Sequence, residues 1–493
     1  MSAPPASPEP LGSRAASGVA WMTAQTWIVK VGGFLTVVIL ARLLTPTDFG
    51  LVAIALTVVP VVYLIADLGF GTYLMQSERL DRVVASTAFW YAALSGLALA
   101  GVLVGVSPLL EIVFGVENVG AVIATMSPAV VFVSLAAVPI ALLRRGMRFR
   151  ALSIQAGVAA LVGQVVAIVL ALLGAGVWAL VAQVCVSQGV TLLLAWIVAR
   201  WLPSRNFSWA DFRTMLTFGS KVVGINAIEM ARQWGENAII TNVLGAAALG
   251  KLSVAQRLVQ TSQEVAGAAI APVSTVVFAQ VRDDGERLQR GYDRALGLSY
   301  LVIAPALTAI LVTAPLLVPL LFGPQWAQSV GPAQALSVAA VFTLGANLDR
   351  GLFYGLGRPG TWLVYATVID ALTVAATAIL ARYGIFAITI GFVGVAAIAT
   401  IARTLLVARV IGVGPWAIFR RVLGALAAMT ASALAGWGVM TLLHGGIAIV
   451  AIIAAGIAVL IVHLAVARLV LPRAFHDMIH EVRSRLLRRG ATT

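Results

Sequence analysis

Between Phe218 and Pro272 the ionisable side chains Lys221, Glu229, Arg232, Glu236, Arg257 and Glu264 stand among residues that otherwise read as membrane core. A charge at membrane depth costs about 2.5–3.5 kcal/mol on insertion scales, so such groups face a bundle interior or a watery cavity rather than lipid. Acids and bases together can pair with one another, bind a coupling cation or hold a charged solute. Their spacing is informative: Asn226, Glu229, Gln233 and Glu236/Asn237 recur at three- and four-residue steps and form one stripe down a helix. A second stripe follows in Ser253, Gln256/Arg257, Gln260 and Gln263/Glu264, with Leu252, Val259 and Ile270 elsewhere on the cylinder. Ion pairs, Arg232 with Glu236 and Glu229 with Arg257, would satisfy the charges alone. The neutral amides Asn226, Gln233, Gln256, Gln260 and Gln263 extend the polarity beyond any pair, and two amphipathic helices in an apolar chain predict a polar cavity for them to face.

The elements that must position these stripes are membrane helices. Hydrophobic residues make up 61% of the 493 and charged residues 11%, against about 25% charged in soluble domains. The expected fold is all-α and polytopic, about 14 transmembrane helices of roughly 20 residues with no room for a soluble catalytic domain. The single cysteine, Cys185, excludes an intramolecular disulfide. Residues 1–18 read as a disordered tail, and the apolar run from about Val19 lacks the form of a cleavable signal, so it is expected to remain as the first span. Further spans are expected at about 49–67, 84–106, 119–143, 151–173, 176–199, 218–243, 252–278, 295–321, 328–348, 360–381, 384–408, 420–443 and 446–470.

Fourteen spans put both ends of the chain on one side, and the basic residues say which. Counting tails and alternate connections, 24 arginines fall on the side of the ends, and only Arg42, Lys251 and Arg382 lie opposite. Basic residues stay cytoplasmic, so both termini are expected there, in a cell (inner) membrane. The net charge of +14 thus reads as topology and attraction to anionic lipids, not nucleic acid. The tail 472–493 carries Phe475, Met478, Ile479, Val482 and Leu486 on one face and reads as a basic helix lying on the cytoplasmic surface.

Three landmarks recur in the two halves in the same order. Leu44-Thr-Pro-Thr-Asp-Phe-Gly50 matches Leu244-Gly-Ala-Ala-Ala-Leu-Gly250; Ser107-Pro-Leu-Leu110 with Phe114-Gly115 matches Ala314-Pro-Leu-Leu317 with Phe322-Gly323; Gly176-Val-Trp-Ala-Leu180 matches Gly384-Ile-Phe-Ala-Ile388. Six-span halves, 19–200 and 214–410, are therefore expected as parallel repeats with a cleft between them, with 416–471 as two extra helices. The repeat pairs span one, carrying Thr23, Thr26 and Lys30, with span seven, and places Lys30 toward the cavity. The outer ends of these spans, at Pro46, Asp48 and Gly245, become a candidate gate.

Gly355-Leu-Gly357-Arg-Pro-Gly360 satisfies a dinucleotide-binding expression but follows no strand and joins two spans. His476 and His480 lack a third ligand. Gly101 and Gly105 suggest close helix packing. No cofactor, metal or catalytic constellation emerges, and a polytopic glycan-assembly enzyme would need acids and bases on sizeable loops that are missing.

The runs Ala41-Arg-Leu-Leu-Thr-Pro-Thr-Asp-Phe-Gly-Leu-Val-Ala53, Ala66-Asp-Leu-Gly-Phe-Gly71, Ala255-Gln-Arg-Leu258 and Leu321-Phe-Gly-Pro-Gln-Trp326 resemble the polysaccharide-transport flippases of the multidrug/oligosaccharidyl-lipid/polysaccharide exporter superfamily, of the colanic-acid-exporter type. The resemblance implies two six-helix lobes in a V around a central cavity, which move polyprenyl-pyrophosphate-linked oligosaccharide from the cytoplasmic to the periplasmic leaflet by alternating access, alongside glycan polymerase and export proteins. It puts Arg257 where that family has a basic residue in the eighth helix and Glu236 where it has an aspartate. On that expectation Lys30 and Arg257 hold the pyrophosphate, Asn226, Gln233, Gln256 and Gln260 meet the glycan, and Glu229, Arg232, Glu236 and Glu264 pair or couple. Two alternatives stand beside it, a cation-coupled drug or small-molecule antiporter of the same superfamily and a scaffold for glycan assembly.

Overall fold

The structure, a computed structural model, describes residues 29–77, 80–267 and 285–470, together with residues 472, 475 and 476. Its regular elements among these residues are helical throughout, as a chain in hydrocarbon requires, since a helix satisfies its own backbone donors and acceptors. In chain order they are α1 (29–43), α2 (Pro46–Asp67), α3 (Phe70–Gln76), α4 (Arg82–Phe114), α5 (Val119–Arg145), α6 (Phe149–Leu172), α7 (Val177–Ala199), α8 (Trp209–Leu244), α9 (Ala246–Gly267), α10 (Gly285–Phe322), α11 (Val330–Thr343), α12 (Ala346–Gly355), α13 (Pro359–Leu380), α14 (Ile385–Ile411), α15 (Pro415–Leu442) and α16 (Ala448–Val470).

Eleven helical segments among the described residues are long and apolar enough to cross a membrane. They stand where eleven of the fourteen expected spans were placed. The other three are α1, described from Val29 onward, and α8 and α9, whose charged stripes lower their hydropathy although they run 36 and 22 residues. Residues 268–278, the rest of the expected eighth span, lie outside the described residues.

The repeated landmarks occupy equivalent structural places. Gly115 and Gly323 both take positive φ, 63° and 108°, directly after the ends of α4 and α10. Gly176 and Gly384 take positive φ directly before α7 and α14. The first landmark is less alike in detail. Thr45 and Asp48 form a capping box that starts α2, with Thr45 Oγ1 to Asp48 Oδ2 at 2.7 Å and the Asp48 amide to Thr45 Oγ1 at 3.2 Å, whereas its counterpart turn uses Gly245 at φ 81°. Each device closes a tight helix–helix connection.

The chain divides into two compact units, residues 1–234 and 235–493. In the first, α2, α4, α5, α6 and α7 pack around one another, and an aromatic cluster forms at one end from Phe70, Phe89, Tyr91, Trp196, Trp201 and Phe212. The start of α8 belongs to this unit. Met215 is buried in the cluster, Trp234 Nε1 donates to the Thr57 carbonyl at 2.9 Å, and the α8 backbone passes so near Leu68 that a methyl at Gly219 would overlap the Leu68 carbonyl oxygen. Residues 200–208, polar and turn-rich in sequence, are bonded onto α4: Ser204 N and Oγ donate to Ser86 Oγ at 2.8 and 3.0 Å, Trp90 Nε1 to Ser204 O at 2.8 Å, and Ser208 N to Thr87 Oγ1 at 3.0 Å.

In the second unit α10 packs against α9, α11, α15 and α16, and α14 against α11 and α13. The two helices beyond the repeat dock on α10, α15 through Ile418, Val422, Ala425 and Met429 and α16 through Ala455 and Val459 against Val312. Small residues let them approach: a methyl at Gly436 would press on Val459 and Val312. The Arg421 guanidinium clasps the Asp293 carboxylate with both nitrogens at one end of this contact. Gly101 and Gly105 find no atom within 4 Å of an added methyl and lie exposed on α4, so the close packing expected of them is absent among the described residues. The tight contacts fall elsewhere, as at Gly96 against Ser134 and Gly163 against Gln183.

Candidate functional site

In the second unit a cavity of about 290 Å³ opens among α9, α11, α13 and α14. Helix α9 supplies its amides: Gln256, Gln260 and Gln263 sit at i, i+4 and i+7, one face of the helix, and all three line the cavity. Thr343 from α11 and Thr373 from α13 add hydroxyls, while Val259, Leu336, Ile369, Phe392 and Val395 form the apolar wall. Each amide offers two donors and one carbonyl acceptor, so the face can meet neutral hydroxyl-bearing groups without fixed charge.

Arg257 and Glu264 do not line this cavity; both are exposed on an adjoining strip of α9. Lys251 is committed elsewhere, its Nζ donating to Gln328 Oε1 at 2.7 Å. On α8, Gln233 is exposed, Arg232 and Asn237 are half-buried, and Glu236 is buried with 8% of its surface exposed. The side chains of Asn226 and Glu229 lie outside the described residues, as do Lys221, Thr23 and Thr26. Lys30 is half-buried on α1. Asp48, a candidate gate residue, is engaged in the α2 capping box with Pro46 at the first helical position. Among the described residues no group of acids, histidines and cysteines could hold a metal. Gly357, in the glycine-rich run, takes φ 70° in a plain turn between α12 and α13.

Two polar sites escape the stripe reading. The first is a cavity of about 320 Å³ inside the first unit, bounded by α2, α3, α5 and α7 and lined by Tyr63, Asp67, Thr72, Arg144, Gln188 and Thr191 together with apolar groups. Asp67 ends α2, and its Oδ1 accepts from the Gly71 amide at 3.3 Å at the start of α3. The adjacent arginines at the end of α5 divide the work. Arg145 donates to the Leu74 and Ser77 carbonyls, and the Arg144 side chain lines the cavity.

The second is a buried ion pair in the other unit, Arg403 Nη1 to Asp349 Oδ2 at 2.8 Å, with 4% and 1% of the two residues exposed. It sits where α11 gives way to α12 at Leu344–Gly345. There the Phe342 carbonyl accepts from Arg403 Nη2 at 3.1 Å and Thr400 Oγ1 at 2.9 Å. One signal for it was available in sequence, since Arg403 is a charge within an apolar 27-residue helix whose other charge, Arg409, lies in the last turn. For Asp67 and Arg144 the signal was weak, because each lies at the end of a span, where charge is ordinary.

A family model described as polysaccharide biosynthesis protein matches residues 39–331. The succinoglycan biosynthesis transport protein ExoT of Rhizobium meliloti is 27% identical over 346 residues, 70% of each chain. The lipopolysaccharide biosynthesis protein WzxC of Escherichia coli is 22% identical over 385 residues, 78% of each chain. Among solved structures, the lipid II flippase MurJ in an inward closed conformation superposes with a TM-score of 0.73 at 13% identity, covering 93% of this chain and 99% of that one. An inward-facing multidrug resistance MATE family transporter superposes with a TM-score of 0.62 at 17% identity, covering 78% and 95%. At these identities the two structures establish the fold.

Proposed function

Because the chain belongs to the polysaccharide biosynthesis protein family, we propose that it is a flippase that carries lipid-linked oligosaccharide from the cytoplasmic to the outer leaflet of the cell membrane. It is a multi-pass membrane protein and a transporter rather than an enzyme. The observation that carries the substrate reading is the amide face of α9: Gln256, Gln260 and Gln263 with Thr343 and Thr373 make a neutral, hydrogen-bonding cavity inside a helix bundle. A glycan presents hydroxyls that such a face can pair. An organic cation would want several aromatic groups and an anion, whereas this lining holds one aromatic, Phe392, and no acid, so the amides favour the saccharide over a drug substrate.

On this reading Lys30 and Arg257 meet the pyrophosphate of a polyprenyl carrier, with Asn226 and Gln233 as further glycan contacts. Glu229, Glu236 and Glu264 pair with those cations when substrate is absent, so that binding exchanges one anionic partner for another and leaves no cation buried alone, and Arg232 pairs with Glu236 four residues on. Residues 19–200 and 214–410 act as lobes that rock, with the turns at Pro46, Asp48 and Gly245 as the outer gate. Both termini face the cytoplasm, in keeping with the arginine distribution, and anionic lipids surround that face. Glycan polymerase and export proteins are the expected neighbours.

The test is accumulation and export of the lipid-linked oligosaccharide in cells carrying Gln256→Leu, Gln260→Leu or both. Leaving sugar hydroxyls without partners should lower export by about ten-fold in the double variant at unchanged protein level. Undiminished export in the double variant would remove the glycan from this cavity.

A further inference from the structure

The cavity of the first unit is unused by the reading above, and its lining is chemically specific. Asp67 accepts hydrogen bonds, Arg144 donates them, and Gln188, Thr72 and Thr191 do both. The Tyr63 hydroxyl is buried with no hydrogen-bond partner among the described residues, and Tyr63 lines the same space. A buried hydroxyl left unmatched costs free energy, so a group that supplies its partner binds with gain. Val133, Ala136, Ala137 and Met75 complete the walls.

The two fixed charges narrow what can enter. A bare phosphate would meet the Asp67 carboxylate, a quaternary ammonium would meet Arg144, and an acyl chain would leave every polar group unmatched. A neutral polyol satisfies both signs at once, because each of its hydroxyls can donate to a carboxylate and accept from a guanidinium. A pyranose ring adds C–H faces for the apolar walls. The volume of about 320 Å³ lies at the small end of ligand pockets, which run from about 300 Å³ upward.

The internal repeat supplies an independent observation. The helices around this cavity, α2, α5 and α7, are the counterparts of α9, α11 and α14, which surround the amide cavity of the second unit. Single residues correspond too: Tyr63 and Gln263 are 200 positions apart, and Gln188 and Thr191 stand 208 before Ala396 and Ala399, within the spacing of the landmarks; all six line their respective cavities. The same place in each half is hollow and polar, but in the first half it is charged.

We propose that the cavity among α2, α3, α5 and α7 is a pyranose-binding subsite, in which Asp67, Arg144, Gln188 and the Tyr63 hydroxyl hold one sugar ring of the transported glycan. This rests on the saccharide reading of the function, and its test separates the two. The full chain in lipid nanodiscs is mixed with glucose, galactose, N-acetylglucosamine, choline or inorganic phosphate, and binding is read by saturation-transfer NMR for the organic probes and by competition for phosphate.

At least one neutral pyranose should bind, and Gln188→Leu and Tyr63→Phe should each weaken it by about five-fold, the cost of one lost hydrogen bond. Asp67→Asn, which keeps an acceptor for the Gly71 amide, should weaken it as well, while Gly101→Ala, exposed on α4 with open space around it, leaves it unchanged. Thermal unfolding of each variant is measured alongside to show that it is folded. No pyranose binding, binding indifferent to both Gln188→Leu and Tyr63→Phe, or preferential binding of choline or phosphate would overturn the subsite. If wild-type cells export lipid-linked oligosaccharide while the pyranose test fails, the subsite alone is wrong; if they export none, the functional reading fails first.

Discussion

Arg403→Leu should destabilise the second unit severely, and the reason can be followed atom by atom. The substitution takes from Asp349 the guanidinium nitrogen 2.8 Å from its carboxylate, in a place where only 1% of that residue reaches solvent. It also removes one of the two donors to the Phe342 carbonyl, leaving Thr400 Oγ1 alone at 2.9 Å. A carboxylate buried without its partner costs about 3–5 kcal/mol, a large share of the roughly 5–15 kcal/mol that holds a domain folded. Asp349→Leu strands the guanidinium instead and should cost a similar amount. The double variant Asp349→Leu/Arg403→Leu removes both charges and should recover most of the loss, since replacing a whole buried pair by apolar groups is often close to neutral. Arg403→Lys should fall between, keeping the charge but not the planar fork that reaches Asp349 and Phe342 together. Unfolding by titration with a denaturing detergent in mixed micelles gives the four stabilities and hence the coupling energy. If that coupling is under about 0.5 kcal/mol, the value expected of sites that do not interact, the pair does not hold the α11–α12 break and the reasoning is wrong.

Gly219→Ala should lose about 1–3 kcal/mol by overlap with the Leu68 carbonyl, whereas Gly101→Ala, with open space around it, should stay within about 0.5 kcal/mol of the parent in the same titration. Lys30→Ala and Arg257→Ala should each abolish export of lipid-linked oligosaccharide at normal protein level; normal export in both would remove them from headgroup binding. Cysteines at Pro46 and Ala246 in a Cys185→Ser background should, when cross-linked, stop transport until reduced. Transport at its usual rate through a fully cross-linked pair would exclude the rocking motion.

Hydropathy and charge counting carried the helical class, because in hydrocarbon the backbone must be satisfied within each segment and twenty apolar residues permit little else. Eleven spans stand where composition put them, and the landmark glycines before α7 and α14 occupy equivalent places, both with positive φ. The amide stripe of α9 was legible for the same reason, since a helix turns by a fixed angle and Gln256, Gln260 and Gln263 had to share a face. Periodicity within a helix says nothing about which other helix stands opposite. Only tertiary packing decided that those amides face Thr343 and Thr373 while Arg257 lies outside their cavity. It also decided that Asp349 and Arg403, 54 residues apart, form one buried pair, and that of two adjacent arginines Arg145 caps a helix while Arg144 enters a cavity with Asp67. Segment chemistry is local and is written in order along the chain; the partners of a side chain are chosen by how the segments pack.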